Sequence, residues 1–156
     1  METSYQIRSA YRDEWEEAMA LAWKTFQKFE ADVYSAEGVQ NFENFITDSM
    51  LYRMFVMGSY QMFVALDRER IIGMITLRDS SHISLLFVDE QYHRQGIGRA
   101  LMNYLTDYMD KEMGVHQVTV NASPYGVGFY HRLGFRDLRP EERKDGIIYT
   151  PMELKF

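Results

Sequence analysis

The sequence predicts a mixed α+β domain: a central, mostly antiparallel twisted sheet of about six to seven strands, with helices on both faces. Three observations carry this. Apolar residues recur every three or four positions over roughly the first fifty residues, and every second position after residue 60. Two such strand patterns flank the polar turn Asp67-Arg68-Glu69-Arg70, the signature of a β-hairpin. Farther on, a strand, an amphipathic helix and a second strand follow in order, which is a crossover unit.

Residues 5–8 read as a short first strand. Ser9 is the expected N-cap of a helix with Asp13 and Glu14 early in it, where carboxylates favour the dipole. Trp15, Ala18, Met19, Ala22, Phe26 and Phe29 form the apolar stripe of that helix. A second helical pattern runs over about 36–50 through Val39, Phe42, Phe45 and Ile46, and residues 51–60 follow neither period. Strands are expected at 62–66, 71–77 and 83–88. The clearest helix carries Ile97, Ala100, Leu101, Tyr104, Leu105, Tyr108 and Met109, and Gly114 closes it as the C′ residue. A strand at 116–121 is followed by Ser123-Pro124, which caps and starts a short helix through Leu133, ended by Gly134. Residues 135–138 and 146–154 read as the last strands. No repeat, low-complexity stretch or linker interrupts the pattern, so 1–156 reads as a single domain.

Composition narrows the function classes. A net charge of −6 and a pI near 5.2 disfavour nucleic acid as a partner and suit a soluble protein, or one that handles cationic amines. The absence of Cys excludes disulfides, thiolate metal ligands and a Cys nucleophile. Four His residues without i, i+4 pairing give no expectation of a metal site. No apolar run approaches the ~20 residues of a membrane span, and Met1 to Gln6 lack the blocks of a secretory leader, so no membrane partner and a cytoplasmic location are expected.

Arg94-Gln95-Gly96-Ile97-Gly98-Arg99 has the make-up of a loop that cradles a diphosphate. The first turn of a helix leaves backbone N–H groups unpaired and partly positive; glycines let the ligand approach, and Arg94 and Arg99 add formal charge. A dinucleotide fingerprint is excluded because Leu101 stands where a third Gly belongs, and there is no Gly-Lys-Ser/Thr for a Walker loop. A right-handed crossover would put the loop at the carboxyl end of its strand.

The run from Leu86 to Leu101 resembles the central motif of the GNAT superfamily of acyl-CoA-dependent N-acetyltransferases. Asn121 to Phe135, with Phe129-Tyr130 and Gly134-Phe135, resembles the second motif of that family. The two cover roughly residues 82–138. His93 departs from the Gln or Arg usual three residues before the first Gly. The resemblance implies a GNAT-like three-layer fold with the β-α-β crossover at the acetyl-CoA site. It implies that the backbone of Phe87 and Val88 pairs with the pantetheine arm and that N–H groups of Gln95, Gly96, Ile97, Gly98 and Arg99 bind the diphosphate. Asn121 would face the pantetheine or acyl end. The acceptor would be an amine of a small molecule or peptide, and a homodimer is common among such folds.

Forming an amide from a thioester needs a neutral amine, a stabilised oxyanion and a protonated thiolate. Tyr130 occupies the family position of the acid; sulfur positioning, or a place in the core, are its other readings. His82, just before the strand that ends at the cofactor, is the first candidate for the base because its free pKa lies near neutrality. A His satisfied at a strand end is the competing account, and Glu37 and Glu43 come next. Phe26, Phe29, Tyr34 and Phe42 are candidates for an apolar acceptor pocket or for core. A module that binds acyl-CoA without turning it over is the alternative to an enzyme.

Overall fold

A computed structural model describes residues 5–156. Met1 to Ser4, part of the segment read as lacking a leader, lie outside the described residues. Eight strands and five α-helices follow in the order β1 (Tyr5–Ser9), α1 (Trp15–Phe29), α2 (Ala36–Ile46), α3 (Ser49–Met57), β2 (Tyr60–Asp67), β3 (Arg70–Arg78), β4 (His82–Val88), α4 (Ile97–Tyr108), β5 (Gln117–Ala122), α5 (Val127–Arg132), β6 (Arg136–Asp137), β7 (Glu142–Lys144) and β8 (Ile147–Lys155). The sheet order is β1-β2-β3-β4-β5-β8-β6, with β7 also on β8, and every pair is antiparallel except β4–β5.

Two apolar layers sandwich this sheet. Phe63, Ala65, Ile72, Ile75 and Leu77 face α4 and α5, whereas Met62, Val64, Leu66, Ile71 and Met74 face α1 to α3. Because β2 and β3 are covered on both faces, they read as nearly continuous apolar runs. On α4, Ile97, Leu101, Met102 and Leu105 are buried, and each contributes roughly 1.5–3 kcal/mol of transfer free energy.

Several boundaries differ from the sequence reading, each for a local reason. Ser9 lies in β1 rather than capping a helix; Glu14 instead bonds Arg8 (2.8 Å) and the Tyr11 N–H (2.7 Å), and α1 begins after it. The second helical pattern breaks at Thr47-Asp48, where the Asp48 side chain accepts the Met50 N–H and starts α3. The unassigned segment 51–60 is therefore largely helix, ended by Gly58 at φ 86°. Ser123 makes a turn with the Gly126 N–H (3.1 Å), which delays α5 to Val127. The three-residue β7, too short for a periodic signal, raises the count to eight strands.

Among the described residues, no helix is long and apolar enough to cross a membrane.

Candidate active site

The parallel strands β4 and β5 pair only at His82↔Thr119 and Ile83↔Val120, and beyond that they part. The cause is a bulge. Leu77 pairs with Ile83 but Thr76 with Leu85, leaving Ser84 as the extra residue, and a bulge bends its strand. The fully buried Thr76 hydroxyl fills the gap, accepting the Leu85 N–H at 3.0 Å with the Tyr60 hydroxyl 2.8 Å away.

The parted strands open a groove of about 1610 Å³. Asp89 donates its N–H to Ile72 and Leu85 donates to Thr76, so odd-numbered residues of outer β4 turn their backbone to β3. By strand alternation Leu86 and Val88 present theirs to the groove. Phe87 lines the groove, but its backbone, expected to pair there, faces β3 and its ring is buried beside Phe42; the free edge belongs to Leu86 and Val88. The Val88 carbonyl is already held by His93 Nε2 at 2.7 Å, so that ring nitrogen carries a proton.

At the C-terminal end of β4 the chain turns through Arg94 at φ 65° and Gly96 at φ 80° into α4. A left-handed Arg is strained, and such residues gather at sites where the backbone must aim its donors. The first intrahelical bond is from the Ala100 N–H to Gly96, so the N–H groups of Ile97, Gly98 and Arg99 have no helical acceptor. The first turn holds no acid to complement the dipole; Arg99 stands there instead, an unfavourable choice unless an anion joins it. At Gly98 the constraint is space: a Cβ would sit 3.1 Å from the Phe129 ring. Arg94, Gln95, Gly96, Ile97, Gly98 and Arg99 stand at this turn, and all but Gln95 line the groove.

Asp89 anchors the turn. Burial pushes its carboxyl up, but the Gln91 N–H, Lys24 and Arg70 outweigh this and hold it below the usual carboxylate range.

The structure brings Tyr130 and Asn121 to the same groove. Tyr130 is 7% exposed, packs edge-on against Phe129 and Phe135, and its hydroxyl has no hydrogen-bond partner among the described residues. Burial and the nearby Glu30 charge push its phenol above the usual range. His82 sits at the root of the fork, Nδ1 2.8 Å from Thr119 Oγ1, where burial and then Arg78 lower its pKa, opposed by Asp79.

Glu30, at the end of α1, is a groove residue that the sequence reading passed over. It is only partly exposed, and burial pushes its carboxyl up to about 7, with the Ser123 hydroxyl offsetting part of the shift. Phe29 leaves the core stripe and stacks on Tyr125 (5.2 Å) while tilting onto His93 (5.1 Å), which ties α1 to both arms of the fork. Phe26, Tyr34 and Phe42 also line the groove, Phe26 and Phe42 stacked at 3.9 Å.

The far side is roofed. Gly38 of α2 meets the β7–β8 turn so closely that a Cβ would lie 2.2 Å from the Gly146 carbonyl oxygen. The Ser35 N–H bonds that same carbonyl (3.3 Å), and the Asn41 side chain bonds the carbonyl of Asp145 (3.0 Å).

The family model of the acetyltransferase (GNAT) domain matches residues 30–156. The chain belongs to the GNAT acetyltransferase family. A GCN5-related N-acetyltransferase from Rhodopseudomonas palustris superposes with a TM-score of 0.84 at 19% identity, covering 100% of this chain and 98% of that one. The PaiA N-acetyltransferase of Thermoplasma acidophilum, solved in complex with coenzyme A, gives 0.81 at 22% identity, covering 99% and 100%. These likenesses establish the fold. Among curated proteins, the uncharacterized N-acetyltransferase YafP of Escherichia coli is 28% identical over 62% of this chain and 60% of its own length. N-alpha-acetyltransferase 30 of Schizosaccharomyces pombe is 31% identical over 47% of this chain and 55% of its own. The UPF0157 protein YqkA of Bacillus subtilis is 22% identical over 80% of this chain and 36% of its own length. The chain thus spans between about a third and three-fifths of the curated relatives it matches.

Proposed function

We propose that this GNAT protein transfers the acetyl group of acetyl-CoA to a primary amine by direct attack within a ternary complex. The observation that carries the reading is the fork between β4 and β5, with an unpaired edge at Leu86 and Val88 that leads to the donor-rich start of α4. A pantetheine arm is an amide-bearing chain that can add to such an edge, and a diphosphate suits the N–H groups from Gln95 to Arg99. Asn121, on the other arm of the fork, lines the same groove, which supports a contact with the pantetheine amides or the acyl end.

The Val88 N–H faces the groove and needs no movement to stabilise an oxyanion. Tyr130 is the proposed acid for the departing thiolate. Acidity alone does not drive that step. A free phenol (pKa ~10) giving its proton to a thiolate (thiol pKa ~8.5) goes uphill by about 2 kcal/mol, and burial adds to the gap. The transfer is therefore coupled to C–S cleavage, with the cationic nitrogen of the tetrahedral adduct resupplying the phenol. The same burial keeps Tyr130 protonated at every working pH.

Isothermal titration with acetyl-CoA, followed by thiol release when primary amines are offered, tests the reading. Micromolar binding and amine-dependent release are expected. Binding without release from any amine would leave a sensing module, and no binding would overturn the reading altogether.

A further inference from the structure

We propose that Glu30 takes the proton from the acceptor's ammonium, and that the acceptor is a small cationic amine seated beneath the roof formed by α2 and the β7–β8 turn. This rests on the transferase reading above.

Glu30 stands four residues after Phe26, so it continues the buried stripe of α1 into the groove. The lysines of the same helix are committed elsewhere: Lys24 to Asp89 at 3.3 Å and Lys28 to Glu90 at 2.9 Å. Among the described residues Glu30 makes no ion pair. What faces it is Tyr34 from the α1–α2 connection, Tyr130 from α5 and the Ser123 hydroxyl from the β5–α5 turn, none of them cationic. Glu37, Lys144 and Asp145 line the groove on the roof side. A half-buried carboxylate without a counter-ion, walled by phenols, is a place for an ammonium, which gains both the charge and the ring faces.

Its neighbourhood also separates Glu30 from His82. The Glu30 charge helps to raise the Tyr130 phenol, which puts the carboxylate beside the expected leaving group. His82 responds to Arg78 and Asp79 and sits where the two strands are still paired. α2 and the turn meet backbone to backbone at Gly38 and Gly146, which closes the groove on that side and suits a short acceptor.

The step balances as follows. The ammonium N–H bond breaks and its proton goes to the Glu30 carboxylate, then to water. The freed lone pair forms the C–N bond at the thioester carbonyl, the C–S bond breaks, and the sulfur takes the Tyr130 proton. The second proton lost by nitrogen restores the phenol, leaving amide, thiol and one proton released. Because burial sets the carboxyl near 7, it is both ionised and basic at neutral pH.

The test uses the full chain with acetyl-CoA bound and three probe amines: phenethylamine, 1,4-diaminobutane and glycinamide. The Glu30 carboxyl is followed by carbon NMR against pH. We expect titration near 7, shifted downward by at least one probe, and Glu30→Gln to abolish that probe's binding while the acetyl-CoA Kd changes less than twofold. With any probe that turns over, Glu30→Gln should lower kcat/KM about 100-fold at pH 7.5 and flatten the acid limb of its pH profile, and Glu30→Asp should restore part. Titration in the ordinary carboxylate range, or indifference to all three probes, overturns the proposal. So does a His82→Gln variant that takes the acid limb away while Glu30→Gln keeps it. Failure of acetyl-CoA to bind would instead strike the transferase reading.

Discussion

The two halves of the groove are built on opposite principles. On the side proposed for the donor, β4, the Arg94–Gly96 turn and α4 present main-chain groups, and side chains serve mainly to shape them: Asp89 anchors the turn and His93 holds the Val88 carbonyl. On the side proposed for the acceptor the groups are side chains from distant segments, Glu30 from α1, Tyr34 after it and Tyr130 from α5, beneath a roof from α2 and β7–β8. Main-chain recognition is nearly independent of residue type except where glycine is needed, whereas side-chain recognition can change with every substitution. One scaffold can thus keep its donor and vary its acceptor.

The largest effect should come from attacking the donor side. Gly96→Asp puts a carboxylate at the positive end of α4, where it competes with a diphosphate for the same N–H groups. Acetyl-CoA affinity should drop at least 100-fold by calorimetry, with the circular dichroism spectrum unchanged; retained affinity would show that the diphosphate lies elsewhere. Tyr130→Phe should leave that affinity within about threefold while kcat falls roughly 100-fold. A variant with unchanged kcat would reduce Tyr130 to a wall of the sulfur site. The pairing of the two results is what separates the halves: binding fails in one variant and chemistry in the other.

The same contrast explains what the sequence made legible. The loop is contiguous and its glycines answer local constraints, φ 80° at Gly96 and the nearby Phe129 ring at Gly98, so both and the following helix could be read directly. The crossover, the hairpin and the two-faced sheet follow from periodicity alone. Leu86 takes the place of Phe87 because neighbouring strand residues turn their amides to opposite edges, so Phe87 and Val88 cannot both face the fork, and the pairing with β3 decides which parity does. Glu30 did leave a trace. Met19, Ala22 and Phe26 are spaced three and four apart, and Glu30 falls on the next position, a carboxylate on an apolar stripe. Its meaning depends on Tyr130 and Ser123, a hundred residues away, which only the folded chain brings near. The roof is equally non-local, since Gly38 of α2 and Gly146 of the β7–β8 turn meet only in the folded chain.

A roof variant should act on the acceptor alone. Gly38→Val forces a side chain against the Gly146 carbonyl, and overpacking of this kind costs roughly 1–3 kcal/mol. Thermal unfolding should show that loss, and the KM of any turned-over amine should rise several-fold with the acetyl-CoA Kd unchanged. If the acetyl-CoA Kd rose in parallel, the roof would belong to both halves and the division drawn above would be wrong.

The smallest effect, and the one that best distinguishes a working carboxylate from a structural one, is on stability. The Glu30 carboxyl is raised from its ordinary 4.5 to about 7 in the folded chain. An acid with a raised folded pKa binds its proton more tightly when folded, so stability falls as pH climbs from about 4.5 to 7 and stays reduced above that. Glu30→Gln removes the penalty. It should therefore stabilise the protein by about 1–2 kcal/mol at pH 8, less than the full shift implies because water still reaches the group, and by nothing near pH 4. The opposite sign, a loss of stability in Glu30→Gln at pH 8, would mean that the carboxylate is held by favourable partners and supports the fold. A gain in stability accompanied by lost turnover would mark a group kept for its chemistry at the expense of the fold, which is the pattern expected where activity and stability compete.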